Sequence, residues 1–302
     1  FLVSSKVSLL ILIVRPFFNT KVMCKSKMLL FLLGFFMCAL GYSQHHAVTN
    51  KQHIFSTPLN QERELWVKLP FNFDPAETYD VMIVLDAEKY FELTNVLVDN
   101  RTRYGKLNPT ILVGIPNPYM EERSRNLTFS KSTVDQKGEA TTRYTSENSG
   151  KAEAFAAFLN EEVLSFLSQE FRVKKFGIFG HSFGGYFALY NSTLENRISE
   201  YILIDPSLWY NNGEALQQIE THIERLKERN EIHFYLAHED GIKNNSGKMA
   251  SLARIFDEHN IAYTNFVYRN ENHGSVILPA LVDILRDKGK NIQRTPRHKI
   301  KK

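Results

Sequence analysis

A short segment around Ser182 has the residue types of a serine nucleophile. It reads Gly180-His181-Ser182-Phe183-Gly184 and matches the pattern G-x-S-x-G. In this pattern the serine sits on a sharp turn between a strand and a helix, and the glycines leave room that side chains would fill. The hydroxyl can then attack a carbonyl carbon, so the segment predicts acyl transfer through a covalent intermediate on the serine.

A serine hydroxyl needs a base to take its proton, and His273 is the histidine best placed to serve. It follows the last predicted strand, in Glu271-Asn272-His273-Gly274-Ser275, and precedes the closing helix. In chains with the order nucleophile, acid, histidine, the base is found at this point. Four other histidines after the nucleophile lie in predicted helices, in a strand or in the basic tail: His222, His259, His233 and His298.

Three carboxylates are candidates to orient this histidine. The acid is expected within a few residues of Ala237, where the predicted strand over residues 232–237 ends, and Asp240 and Glu239 both lie there. We prefer Asp240, because its position beside a glycine is typical of the top of a loop. Asp205, after the predicted strand over residues 201–204, is the third candidate, since some hydrolases carry the acid at that point.

Two backbone N–H groups are needed to stabilise the oxyanion of an acyl-transfer reaction. We expect Phe183, directly after the nucleophile, to supply one of them. The other should come from the loop after the strand that ends at Leu85, where we select Glu88 with Ala87 as the alternative.

Strands and helices alternate along the chain in the order that would position these residues. After two strands within residues 53–70, buried strands are predicted at residues 81–85, 110–115, 175–179, 201–204, 232–237 and 262–268. Helices are predicted at residues 89–99, 152–171, 184–191, 214–229, 246–259 and 276–287. Continuous apolar strands suit a parallel sheet covered on both faces. We therefore predict an α/β fold of the α/β-hydrolase type, with a mostly parallel central sheet and helices on both faces.

A long polar stretch interrupts this alternation over residues 116–150. We interpret it as a loop over the sheet, and loops of this length are usually functional or disordered. Arg123 and Arg125 lie in it and are candidates to bind an anionic part of a substrate.

The N-terminal stretch has the order of a secretory signal. A basic start is followed by an apolar run over residues 28–40 and by small residues up to Ser43. We interpret residues 1–43 as upstream sequence and a signal peptide that starts at Met23 or Met28. The run is too short to span a bilayer comfortably, so we expect a periplasmic or secreted product with no stable membrane span after cleavage.

The composition limits the possible partners. The net charge is +4, and much of the basic excess lies in residues 289–302, which we interpret as a solvated basic tail. No basic stripe with interleaved aromatic residues is present, so we expect no nucleic-acid partner.

Both cysteines, Cys24 and Cys38, lie in the predicted signal segment, which leaves no thiolate metal site. We expect no metal and no cofactor in a single domain over residues 44–288, and no feature predicts an oligomeric state.

Several segments together resemble an esterase family that includes enterochelin esterases, esterase D and the mycolyltransferases. They are Arg63 with residues 65–70, residues 81–86, residues 114–117, the R-S-R-N-L-T segment at 123–128, residues 180–185, the P-S-L-W segment at 206–209, and His273. The resemblance implies an esterase that acts through an acyl-enzyme on Ser182. Its substrate would be a small-molecule or glycan ester of the siderophore, sugar or feruloyl type, and Trp209 joins the two arginines as a candidate substrate contact.

The resemblance also leaves alternatives open. An acyltransferase would use the same residues, and a non-catalytic scaffold of the same fold could serve for binding. In mycolyltransferases the second oxyanion donor lies two residues after the aspartate that matches Asp86, which favours Glu88. Asp205 stands where family members commonly have serine, and the usual glycine before the acid is missing near Glu239, so the resemblance does not select the acid.

Overall fold

The computed structural model describes residues 49–229, 231–240 and 243–290. These residues belong to one compact unit. The predicted signal segment, residues 1–43, and residues 291–302 of the predicted tail lie outside the described residues.

A central sheet of eight strands organises the described chain. The strands are β1 (Asn50–Ser56), β2 (Gln61–Lys68), β3 (Tyr79–Leu85), β4 (Thr110–Ile115), β5 (Val173–His181), β6 (Ile198–Ile204), β7 (His233–Glu239) and β8 (Tyr263–Tyr268). Their order across the sheet is β1-β2-β4-β3-β5-β6-β7-β8. The β1–β2 and β2–β4 pairs are antiparallel, and all other pairs are parallel. The predicted α/β fold with a mostly parallel sheet is confirmed.

Nine α-helices connect the strands of the described chain. They are α1 (Ala87–Arg103), α2 (Met120–Leu127), α3 (Ala152–Ala157), α4 (Leu164–Glu170), α5 (Phe183–Ser192), α6 (Glu214–Thr221), α7 (Ile223–Glu228), α8 (Lys243–His259) and α9 (Ile277–Lys288). A π-helical segment, Phe158–Val163, joins α3 to α4, and a short 3₁₀ turn, Tyr210–Gly213, precedes α6.

Helix α2 corrects the prediction of a loop over residues 116–150. Its buried residues include Arg123, Ser124 and Asn126, so the helix shows no apolar periodicity in the sequence. Glu121 in its first turn and Arg125 in its last turn have the charges that favour a helix at those ends.

Successive strand residues point to opposite faces of the sheet and enter two separate apolar layers. In β3, Val81, Ile83 and Leu85 join the larger layer, under the helices from α2 to α8. Met82 and Val84 join the smaller layer, to which α1 and α9 contribute. Both faces are covered, which is why the strand reads as a continuous apolar run.

The parallel strands bring their carboxyl ends to one edge of the sheet. At this edge lie Asp86 after β3, Ser182 after β5, Asp205 after β6 and Asp240 after β7. The loop that carries His273 follows β8 at the same edge. Ligands of open α/β sheets bind outside these carboxyl ends, so this edge is where a site is expected.

Candidate active site

Ser182 occupies a strained turn between β5 and α5. Its φ and ψ are 60° and −120°, a conformation that non-glycine residues rarely adopt. A Cβ atom at Gly180 would lie 2.2 Å from the backbone carbon and oxygen of Gly184, so only glycine fits there. The strand-to-helix turn predicted from the G-x-S-x-G pattern is therefore present in the structure.

Neighbouring backbone groups hold Ser182 in this conformation. Its N–H donates to the carbonyl of Ile204 at 3.2 Å, and its carbonyl accepts from the N–H groups of Tyr186 and Ser207 at 2.9 and 3.1 Å. Its hydroxyl contacts the Ser207 hydroxyl, with 3.1 Å between the two Oγ atoms. The nucleophile candidate is thus tied to both β6 and the loop after it.

His273 is paired with Asp205. The distance from His273 Nδ1 to Asp205 Oδ2 is 2.6 Å, and the aspartate is 1% exposed. The other carboxylate oxygen, Oδ1, accepts from Asn245 Nδ2 at 2.8 Å. An ionised carboxylate can only accept, so Nδ1 carries the hydrogen and Nε2 is left to accept a proton.

The structure pairs His273 with Asp205 and not with Asp240, the preferred acid. Its carboxylate is exposed, with Oδ2 4.0 Å from Arg269 Nε, and its N–H donates to the carbonyl of Tyr268 at 3.1 Å. Glu239 is the last residue of β7 and is buried. Strand order alone does not exclude these two residues, because β7 lies beside β8, whose following loop carries His273. The carboxylate that His273 meets is nevertheless that of Asp205, which Asn245 also holds in place.

His181, the residue before the nucleophile, contacts the loop that carries His273. Its Nε2 lies 2.7 Å from the His273 carbonyl oxygen, and its Nδ1 lies 2.8 Å from the Tyr90 hydroxyl. Burial, and after it the neighbouring His273, lowers the pKa of His181 to about 3. The ring is therefore neutral near neutral pH.

The two expected oxyanion donors both belong to the first turn of a helix. Phe183 begins α5, and Glu88 is the second residue of α1. First-turn N–H groups have no acceptor within their own helix, so they are available to a ligand. The Glu88 carboxylate accepts from the N–H of Asn117 at 3.0 Å, which ties the start of α1 to the end of β4. Donation by these two N–H groups stays a prediction.

Arg123 forms a buried ion pair with Asp86. Its Nε and Nη2 atoms lie 2.9 and 2.8 Å from Asp86 Oδ2, and Nη2 lies 3.4 Å from the His181 carbonyl oxygen. Asp86 has a left-handed φ of 51° just before α1. The guanidinium thus holds the turn before α1 as well as facing the cavity.

A cavity of about 350 Å³ lies over Ser182 and His273. Its lining includes Ser207, Trp209 and Arg123, together with Asp135, Gln136, Arg143 and Tyr144 from the predicted loop region. Arg125 is not among the lining residues, and its Nη2 lies 3.9 Å from Glu122 Oε1. Two of the three expected substrate contacts, Arg123 and Trp209, therefore reach the cavity.

A second cavity adjoins the first. It measures about 440 Å³ and shares Asp135, Gln136 and Trp209 with the first cavity. Lys248 and Ser251 of α8 line its other side. Trp209 therefore stands between two spaces that a large substrate could occupy together.

Several residues of this site were not selected by the sequence. Tyr90 and Asn245 carried no local signal, because each acts on a residue far away along the chain. Ser207 lay in the P-S-L-W segment, but that segment did not indicate its contact with Ser182. His181 lay inside the G-x-S-x-G pattern, but the pattern says nothing of its partners.

Within the described residues, no group of three histidine, cysteine, aspartate or glutamate side chains is arranged to hold a metal ion. None of the helices in this part of the chain is both long and apolar enough to cross a bilayer.

The strand order and the serine turn define the fold as that of an α/β-hydrolase, and comparison with known proteins agrees. The chain belongs to the family described as "Putative esterase", whose model matches residues 56–225. Ferri-bacillibactin esterase BesA of Bacillus subtilis is 25% identical over 241 residues, which cover 74% of this chain and 83% of BesA. The predicted esterase family is confirmed, and membership of it supports a hydrolase.

Solved structures show the same fold. An IroE-like serine hydrolase from Shewanella oneidensis matches with a TM-score of 0.70 at 22% identity, over 80% of this chain and 79% of that chain. The siderophore hydrolase EstA from Aspergillus nidulans matches with a TM-score of 0.68 at 18% identity, over 82% and 96% of the two chains.

Proposed function

We propose that this protein is a serine esterase that hydrolyses a carboxylic ester through an acyl-enzyme on Ser182. The observation that carries the proposal is a serine on a strained turn facing the same cavity as a histidine paired with a buried aspartate. A nucleophile, a base and an orienting carboxylate are the groups that such a reaction requires.

The first half-reaction forms the acyl-enzyme. The Ser182 hydroxyl turns from Ser207 towards His273 Nε2, gives up its proton and attacks the ester carbonyl carbon. Asp205 stabilises the imidazolium through Nδ1, and the N–H groups of Phe183 and Glu88 bind the oxyanion. The imidazolium then protonates the departing alcohol, and the bond between the carbonyl carbon and the alcohol oxygen breaks.

The second half-reaction uses water in place of the hydroxyl. His273 takes a proton from a water molecule, and the water oxygen attacks the acyl carbon. The ester bond to Ser182 breaks, the serine recovers its proton from the imidazolium, and the carboxylic acid leaves. No other reactant is needed.

We propose a siderophore-type ester as the substrate class, with sugar and feruloyl-type esters as the alternatives. The names of BesA and of the siderophore hydrolase EstA support this choice. The adjoining cavities on either side of Trp209 suit an ester with a bulky group. Arg143 on the first cavity and Lys248 on the second favour an anionic one.

We also propose that the protein is exported. The support is the basic and apolar pattern that ends at Ser43, which lies outside the described residues. N-terminal sequencing of the protein recovered from its source cells would test this, since a start near residue 44 is expected.

A panel of esters with wild type and Ser182→Ala tests the proposed function. We expect the substitution to lower kcat by a factor of about 10⁴ to 10⁶, because the nucleophile is removed. A fluorophosphonate probe should label the wild type and leave Ser182→Ala unlabelled. Ser199→Ala, at the amino end of β6, is the matched control and should behave as wild type. Equal ester hydrolysis by wild type and Ser182→Ala would overturn the proposal.

A further inference from the structure

We propose that His181 is a positioning residue that holds the loop of His273, with Tyr90 selecting its tautomer. The proposal rests on the proposed esterase function, because it assigns His181 the task of placing the base within reach of Ser182. His181 itself contacts neither the nucleophile hydroxyl nor, in the proposed reaction, the ester.

The first support is the hydrogen bonding of the loop. Asn272 and Ser275 bond to each other, and Asn272 also accepts from the N–H groups of Gly274 and Val276, all within or next to the loop. Apart from the bond to the adjacent Val276, the described hydrogen bonds that leave residues 271–275 go to Asp205 and to His181. Asp205 fixes the imidazole of His273, and His181 fixes its backbone.

The second support is that the hydrogen-bond roles are determined by the partners. The His273 carbonyl oxygen can only accept, so His181 Nε2 must carry a hydrogen. In the neutral ring Nδ1 is then the acceptor, and the Tyr90 hydroxyl donates to it. Burial raises the pKa of Tyr90 to about 12, so the hydroxyl keeps its proton. Tyr90 thus favours the tautomer that His273 requires.

The third support is the place of His181 in the fold. It is the last residue of β5 and is joined covalently to Ser182, so one residue connects the nucleophile to the loop of the base. It is 4% exposed, and its ring lies 4.4 Å from the His273 ring between centroids. The Arg123 guanidinium lies near its carbonyl oxygen and helps to fix its backbone. A rigid link of this kind fixes the distance over which the proton passes from the Ser182 hydroxyl to His273 Nε2.

Paired substitutions separate the hydrogen bond from the volume of the side chain. His181→Gln keeps an N–H donor near the place of Nε2, whereas His181→Phe keeps the ring and removes the donor. We expect His181→Phe to lower kcat and the rate of fluorophosphonate labelling by about 10- to 100-fold with KM nearly unchanged, because displacing a catalytic group by about 1 Å has effects of this size. His181→Gln should stay within about fivefold of wild type. The kcat and labelling rate of Tyr90→Phe should lie between those of His181→Gln and His181→Phe.

His233→Phe is the matched control. That histidine lies at the amino end of β7, bonded to the Thr264 hydroxyl, and its substitution should leave the labelling rate unchanged. The NMR resonance of the His273 Nδ1 proton gives a readout independent of turnover. In His181→Phe it should broaden through faster exchange with water, and in His181→Gln it should persist. All variants are compared as folded protein, checked by circular dichroism.

Two outcomes would overturn the proposal. One is labelling of His181→Phe at the wild-type rate, and the other is an equal loss in His181→Gln and His181→Phe. If His181→Phe fails to fold, a wild-type labelling rate in Tyr90→Phe would likewise overturn the proposal. A wild type that the probe does not label at all would instead reject the esterase function itself.

Discussion

Asp205 reaches His273 from an unusual backbone conformation. Its φ is 40°, in the left-handed region, and its N–H donates to the Ala237 carbonyl at 2.7 Å. Asn245 bonds to one carboxylate oxygen and His273 to the other. The side chain therefore has no freedom to turn away, and it holds the imidazole with Nε2 free to accept a proton.

The substitution Asp205→Asn should disable the site while keeping the size of the side chain. We expect Asp205→Asn to lower kcat by a factor of about 10³ to 10⁴, because the amide can stabilise the wrong tautomer of His273 and cannot stabilise the imidazolium. Steady-state kinetics on the best ester of the panel would measure this. Asp240→Asn is the control and should retain activity within about twofold; a larger loss in the control than in Asp205→Asn would assign the role to Asp240.

The turn between β5 and α5 depends on close packing of backbone against backbone. Gly180 and Gly184 approach so closely that neither flexible side chains nor solvent separate them. The contact lets α5 begin directly after Ser182, with its first-turn N–H groups at the site. The element therefore has little tolerance for added volume.

Alanine at position 180 should damage the whole turn. Its Cβ would meet the backbone of Gly184 at 2.2 Å, so α5 would have to move. We expect Gly180→Ala to lower the free energy of unfolding by about 3 kcal/mol, at the upper end of the range for overpacking, and to abolish fluorophosphonate labelling. Urea denaturation measures the first effect.

Gly247→Ala provides the control, because that glycine lies in α8 and an added Cβ would have no atom within 4 Å. In a helix interior alanine is favoured over glycine by up to about 1 kcal/mol, so this variant should be as stable as wild type or more so. If both variants unfold at the same urea concentration as wild type, the account of the turn is wrong.

A cluster of charged residues lies at the edge of the sheet opposite to the candidate active site. At the amino ends of the strands, Glu200 bonds to Lys288 of α9 and to Lys175, the latter at 2.7 Å. Asp80 lies 4.0 Å from Lys175. Burial alone would raise the pKa of Glu200, but the two lysines lower this pKa below its ordinary value. The cluster ties the last helix to the centre of the sheet.

Neutralising Glu200 should affect stability and leave the chemistry intact. Glu200→Gln would leave the Lys288 ammonium, whose side chain is 8% exposed, without its carboxylate. We expect the free energy of unfolding to fall by about 3 kcal/mol, as for other buried pairs that lose one partner, with kcat per folded molecule unchanged. Glu258→Gln, in the exposed pair with Arg254, should change stability by less than about 0.5 kcal/mol. A fall in kcat without a change in urea midpoint would contradict this separation of roles.

Local patterns were sufficient for the parts of the protein whose physics is local. The glycines two residues before and two residues after Ser182 predict the strand-to-helix turn. A pattern of five consecutive residues was therefore enough to identify the nucleophile. The parallel sheet follows from apolar strands that alternate with amphipathic helices. Neither inference required knowing which strand lies beside which.

The remaining assignments depended on contacts between residues far apart along the chain. Asp205 meets His273 across 68 positions, once β6 and β8 have brought the loops after them to the same edge of one sheet, and its backbone there is left-handed. Arg123 is buried against Asp86 only once α2 has folded over the end of β3. Strand order, backbone strain and burial of charge are properties of the assembled chain. For that reason the nucleophile could be proposed from the sequence, whereas the carboxylate beside the base became visible only in the tertiary structure.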